Sequence, residues 1–168
     1  MQRIFPKHSA LRLDRVAQVC RSFALPVVFG VGVLGSPYVG AQTPNSLAAY
    51  QISGDSIWEP LGAKQGQAAR GAQIVKTREG QCTLCHAIPE YKGQVGNLAP
   101  VLEGVGTRLS AAQLRFRVVN ASALNPESIM PSYYRVEGLK SVDPHWRGLP
   151  LMNEQQIEDV VAYLVTLK

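Results

Sequence analysis

The chain predicts an all-α domain in which short helices are joined by long loops, and three observations predict it. Three stretches place apolar residues at helical spacing behind capping signals, while no run alternates as a half-buried strand would. The intervening segments are punctuated by Gly93, Gly96, Pro100, Gly104, Gly106, Pro126, Pro131, Pro144, Gly148 and Pro150. Between the first two helical stretches lies Cys82-Thr83-Leu84-Cys85-His86, a C-x-x-C-H motif that occurs once. Short helices and long loops suit a domain whose core is completed by a cofactor.

Residues 1–41 read as a secretory signal peptide. Arg3, Lys7, Arg12, Arg15 and Arg21 face a single acid, Asp14, and an apolar run from Phe23 to Leu34 follows. Small residues close the segment, with cleavage expected after Ala41. The run falls short of the roughly 20 apolar residues that span a bilayer, although the long basic region leaves an uncleaved anchor as the alternative. No Arg-Arg pair is present, which points to the general secretory (Sec) route and a periplasmic destination. Cys20 lies ahead of the apolar run, not at its end, so it departs with the leader.

Removal of the leader changes the charge argument. The whole chain carries a formal +5, but residues 42–168 hold twelve Lys or Arg against eleven Asp or Glu. A near-neutral protein of about 127 residues fits one domain and leaves no pI argument for binding nucleic acid or an anionic membrane, and no nucleic-acid partner is expected. Arg108, Arg115 and Arg117 form either a local basic face or an ordinary solvated helix surface.

Residues 42–65, rich in Gln, Ser, Gly and Pro, are expected to form an extended arm, with Ile57-Trp58 too apolar to hang free. The domain proper is placed at 66–168. Its first helix is expected over residues 67–78, with Ala68, Ala72 and Val75 on one face and Gly80 as the stop. A second begins at Ser110, whose spacing to Gln113 is that of a capping box, and carries Leu114, Val118 and Val119. The last follows Asn153, with Gln156 three positions on, and stacks Ile157, Val160, Val161, Leu164 and Leu167 in one stripe.

The C-x-x-C-H motif carries the chemistry. Two thiols at this spacing add across the two vinyl groups of one haem, and the adjacent imidazole then reaches the iron. A zinc half-site would need two further Cys or His ligands nearby, and a redox C-x-x-C would need a βαβ context; the sequence offers neither. Cys82 and Cys85 are therefore assigned to one covalently bound haem c, and His86 to the iron. For the sixth position, Met130, His145 and Met152 compete. Met130 is favoured: it stands in a loop between Pro126 and Pro131, far from His86, where restricted backbone can hold a thioether. Met152 precedes a helix cap, where a core-filling methionine is commoner, and His145 occupies a turn. No carboxylate pair or spare thiol remains for bond chemistry.

The order helix, C-x-x-C-H, loops, helix, sixth ligand, terminal helix resembles that of small monohaem class I cytochromes c. The resemblance implies a crossing of first and last helices at which Gly71 meets Tyr163. It also implies that Pro100, in a stretch similar to the Gly-Pro-x-Leu turn of those proteins, offers its carbonyl to the free nitrogen of His86. The segment Asn125-Pro126-Glu127-Ser128-Ile129-Met130-Pro131-Ser132-Tyr133-Tyr134-Arg135 is more specific. It resembles the axial-methionine segment of the SoxX family, monohaem cytochromes of the sulfur-oxidising system. Residues 54–57, 104–114 and 151–168 resemble that family too, and the likeness spans nearly all of 50–168.

Membership implies a heterodimer with a haem-containing SoxA subunit that carries the catalytic haem. That complex couples thiosulfate oxidatively to a cysteine of the carrier SoxYZ. This chain would be the electron-accepting, non-catalytic subunit, passing electrons to a soluble cytochrome c. A free-standing periplasmic electron shuttle is the alternative, and a peroxidase-like or gas-sensing haem site a more distant one. Replacing both Cys82 and Cys85 is expected to abolish the colour of the protein and its fold. Haem absorbance retained by that variant after denaturing electrophoresis would contradict covalent attachment.

Overall fold

Residues 46–89 and 91–168, the part of the chain that the computed structural model describes, contain four helices and three 3-10 turns joined by loops. The expected leader, its cleavage point, Cys20 and residues 42–45 lie outside the described residues. In chain order the helices are α1 (Ala68–Ile74), α2 (Val105–Arg108), α3 (Ala111–Leu124) and α4 (Glu154–Thr166). The turns occupy Leu61–Ala63, Cys82–Leu84 and Pro144–Trp146. Extended pairing among the described residues is limited to one isolated bridge, Ser53 with Ser56. None of these helices is long and apolar enough to cross a membrane.

The two long helices begin where their caps dictate. Ser110 Oγ accepts from Gln113 N–H while the Gln113 side chain accepts from Ser110 N–H, and Asn153 and Gln156 repeat the arrangement at α4. α1 stops at Ile74, four residues before the expected end. The Thr77 hydroxyl donates to Ile74 O at 2.9 Å, so a side chain takes a carbonyl that a continuing helix would use. α2 is a single turn that no periodicity announced.

α4 is the element on which the others converge. Its apolar stripe, Ile157, Val160, Val161 and Leu164, is buried with Leu61, Val75, Phe116 and Val119. α1 comes so close that a Cβ on Gly71 would stand 1.9 Å from Asp159 O and 2.8 Å from Tyr163 Cβ, which only glycine avoids. Within the arm, Ile57 is 1% exposed and Leu61 likewise, whereas Trp58 is 66% exposed. The arm thus contributes Ile57 and Leu61 to the core and turns Trp58 outward.

Two adjacent acids of α4 do the polar fastening. Glu158 receives a bidentate pair from Arg115 of α3, at 2.7 and 2.8 Å, and the amide of Leu61 at 3.0 Å. Arg115 also donates to Ile57 O at 2.7 Å. Both side chains are buried, so Arg115 belongs to the interior and not to the basic face considered from the sequence. Its partner stands 43 positions away, beyond any local reading.

Asp159 accepts from Arg70 Nε and Nη2 at 2.6 and 2.8 Å, from Gln67 N–H at 2.7 Å and from the Gln155 amide at 3.0 Å. Burial opposes ionisation of this carboxyl, but Arg70, the Gln67 amide and Gln155 outweigh it and hold it below its usual value of 3.8. A carboxylate depressed in the folded state contributes stability that is complete above the unfolded value and lost as pH falls through the folded one. Asp159→Asn is therefore expected to lower unfolding free energy most at neutral pH. The gap to wild type should narrow below about pH 4 in paired denaturant titrations of the holoprotein.

Candidate cofactor site

After α1 the chain turns through Gly80 and Gln81, the latter in a left-handed conformation (φ 53°), and enters the 3-10 turn at Cys82–Leu84. That turn folds the motif back on itself: the amides of Cys85 and His86 both donate to Cys82 O, at 3.2 and 2.8 Å. Cys82, Cys85 and His86 are half-buried along one wall of a cavity. Neither cysteine is engaged in a disulfide. Burial pushes the Cys82 thiol up to about 11, so it is protonated at neutral pH before any bond to sulfur is made.

The segment from Gly96 to Leu102 runs beside the motif, tied to it by backbone bonds. Gly96 N–H donates to Thr83 O (2.8 Å), Ala99 N–H to Cys85 O (3.0 Å) and Leu102 N–H to Ala87 O (2.9 Å). A Cβ on Gly96 would lie 1.8 Å from Leu84 O, so the approach needs glycine. This pairing delivers Pro100 O to within 2.6 Å of His86 Nδ1, leaving Nε2 as the other ring nitrogen. Gly96 and Pro100 are not adjacent, and the three backbone bonds position the carbonyl instead.

Two adjoining hollows of about 600 and 870 Å3, counted with the space at their mouths, share His86, Leu102, Val118, Met130 and Leu164 as walls. The first also touches Cys82 and Cys85; the second opens past Pro100 toward Arg108 and Arg117. The other candidates for the sixth position are placed differently. His145 is exposed on the Pro144–Trp146 turn and borders neither hollow. Met152 borders the first but is 1% exposed and packed in the core, its amide donating to Tyr133 O at 3.0 Å.

Tyr133 and Tyr134, which the sequence left without a role, are interior. The Tyr133 hydroxyl donates to Gly80 O, the carbonyl that also faces Cys82 Sγ at 3.4 Å, and so links the Met130 loop to the C-x-x-C-H loop. Burial raises its pKa well above the ordinary phenol value, so the hydroxyl keeps its proton to donate. The Tyr134 hydroxyl donates to the Glu154 carboxylate and accepts from Ala48 N–H at 2.7 Å. Arg135 Nη1 donates to Ser122 Oγ at 2.9 Å and its Nε to Glu137 O at 2.8 Å.

An apolar cleft walled by two cysteines, an oriented imidazole and a thioether is the setting in which covalent haem sits, and the cytochrome c family model matches residues 68–168. The chain belongs to the cytochrome c family. Within that family it is of the SoxX type. It is similar to a chain in the crystal structure of SoxXA from P. pantotrophus, at 35% identity and a TM-score of 0.65. The alignment covers 71% of this chain and 94% of that one. No curated protein matches the sequence.

The cofactor of this SoxX-type cytochrome is covalently bound haem c, and its work is electron transfer. The residues present fit the group. The lining of the cleft is mainly apolar, as a largely apolar ring requires, and the two thiols, the imidazole and the thioether that would hold such a ring border it, with Arg108 and Arg117 at the second hollow.

Proposed function

We propose that this cytochrome is the electron-accepting subunit of a thiosulfate-oxidising pair, with its cofactor held between His86 and Met130 and attached through Cys82 and Cys85. The observation that carries this reading is that His86 and Met130 border both hollows while the two thiols border the first. Bound there, haem supplies a one-electron iron couple whose potential an imidazole–thioether pair sets high. Pro100 O, accepting from His86 Nδ1–H, keeps the ring turned so that Nε2 faces the cleft. Arg108 and Arg117 would hold the acidic edge, and Leu102, Val118 and Leu164 exclude water from the interior.

With His86 and Met130 both committed to the iron, a substrate would find no place to bind it. The mature sequence holds no further thiol to form a bond with sulfur. Bond making would therefore belong to a SoxA-type partner: oxidative coupling of thiosulfate to a cysteine of a SoxYZ-type carrier forms one S–S bond and releases two electrons. This subunit would take those electrons one at a time and pass them to a soluble cytochrome c. The similarity to a chain of SoxXA supports the pairing. The basic and apolar leader supports export to the periplasm through the Sec route, where such haem is attached.

The test is to tag the chain in its native host, grow the cells on thiosulfate and identify what co-purifies. A second c-type cytochrome at one-to-one stoichiometry, with a cysteine free to ligate its iron, is expected. Recovery of the chain alone, or with an oxidase, would contradict the pairing and make it a free-standing electron shuttle.

A further inference from the structure

α3 is broken, and the Met130 loop is fastened to the break. At Asn120 the backbone leaves the helical basin (φ −151°, ψ 69°) before the helix resumes toward Leu124. A continuous helix would send Ser122 N–H to Val118 O and Ala123 N–H to Val119 O. Here Ser122 N–H donates to Ser132 Oγ at 3.2 Å. The carbonyls of Val118 and Val119 accept Tyr133 N–H and Tyr134 N–H, each at 3.1 Å.

A small polar knot holds the break open. Asn120 Oδ1 accepts from the hydroxyls of Ser122 and Ser132, both at 3.2 Å, and those hydroxyls stand 3.0 Å apart. Arg135 Nη1 donates to Ser122 Oγ from the far end of the same loop. Asparagine and serine suit this role because their short polar side chains compete with the helical ladder for backbone partners. The fastened residues, Ser132 to Arg135, begin two positions after Met130. On the other side of Met130 the restraint is lighter: its amide donates to Ser128 Oγ at 3.2 Å, and Ile129 is 72% exposed.

We propose that the break at Asn120 is a clamp on the axial loop, with Asn120, Ser122 and Ser132 as positioning residues that determine how readily an outside ligand displaces the Met130 thioether. The clamp acts through geometry. It fixes the loop immediately after the sulfur to α3, whose Val118 is itself a wall of the cleft. Loosening it lets Met130 swing out while His86 and the two thioether bonds keep the cofactor in place. The proposal rests on the reading of Met130 as the axial ligand.

The experiment compares ferric holoproteins by two readouts: imidazole affinity, and the far-red absorption band of a methionine sulfur on ferric haem. Ser132→Ala and Asn120→Ala each remove a half-buried hydrogen-bonding group from the knot and are expected to bind imidazole about tenfold more tightly, equal to about 1.4 kcal/mol. Ser132→Thr keeps the hydroxyl and should bind as wild type does. Gln155→Ala, which loosens Asp159 on α4, should lower the melting temperature and leave imidazole affinity unchanged. Melting temperatures that fall in the clamp variants with unchanged imidazole affinity would overturn the clamp.

Met130→Ala separates the two readings. It should lose the far-red band; a retained band would overturn the ligand assignment itself. Wild-type hydrogen exchange needs no variant: the Tyr133 and Tyr134 amides should be as protected as those in the middle of α4. Exchange as fast as at the exposed Ile129 would overturn the clamp even if Asn120→Ala and Ser132→Ala fail to fold.

Discussion

The structure depends on one face of α4, where two buried acids stand side by side and each is satisfied by a different part of the chain. Glu158 takes Arg115 and the arm; Asp159 takes Arg70 and the start of α1. Breaking a buried pair such as Arg115–Glu158 costs about 3–5 kcal/mol, and the half-exposed Arg70 makes the penalty at Asp159 smaller, so each acid disfavours any arrangement in which its cation is elsewhere. The pairs therefore select one placement of arm, α1 and α3 around α4 more than they add net stability. Once that placement is set, the Gly71 approach brings α1 onto α4, and the chain leaving α1 must deliver Cys82 to the edge of the cleft.

What the chain builds around that frame is a cleft it does not fill. Val118 and Leu164 sit on the two long helices, His86 and Met130 on the two loops, and all four wall the same space. The residues that orient the loops do so through main-chain bonds. The Gly96–Leu102 strip is laced to the motif, and Tyr133 and Tyr134 are laced to α3. Backbone lacing of this kind fixes the distance between two loops without requiring helix or strand on either. The domain can therefore be loop-rich and still hold an imidazole and a thioether to one cavity. The Tyr133 hydroxyl on Gly80 O then joins the two loops to each other.

The sequence disclosed those parts of the molecule that are local in the chain. The C-x-x-C-H motif, the Ser110 and Asn153 caps and the α4 stripe are each contained within a few turns, and each is present in the structure. The features it did not disclose depend on distant partners. Arg115 looked like one cation in a basic row because Glu158 is far along the chain, and Trp58 was not separable from its buried neighbour Ile57. The break in α3 had a faint local sign, an Asn and a Ser in mid-helix, but what fills the vacated carbonyls lies beyond Met130. The early end of α1 turns on the Thr77 hydroxyl, which helical periodicity does not register.

The central proposal is that His86 and Met130 would both hold the iron, so that this subunit would relay electrons and make no bonds. Carbon monoxide added to the fully reduced holoprotein tests that claim most directly, since it binds ferrous haem only where an axial position is open or easily vacated. An absorption spectrum unchanged by carbon monoxide at neutral pH is the result predicted. A shifted Soret band at modest carbon monoxide concentrations would contradict it, and would place ligand chemistry at this haem.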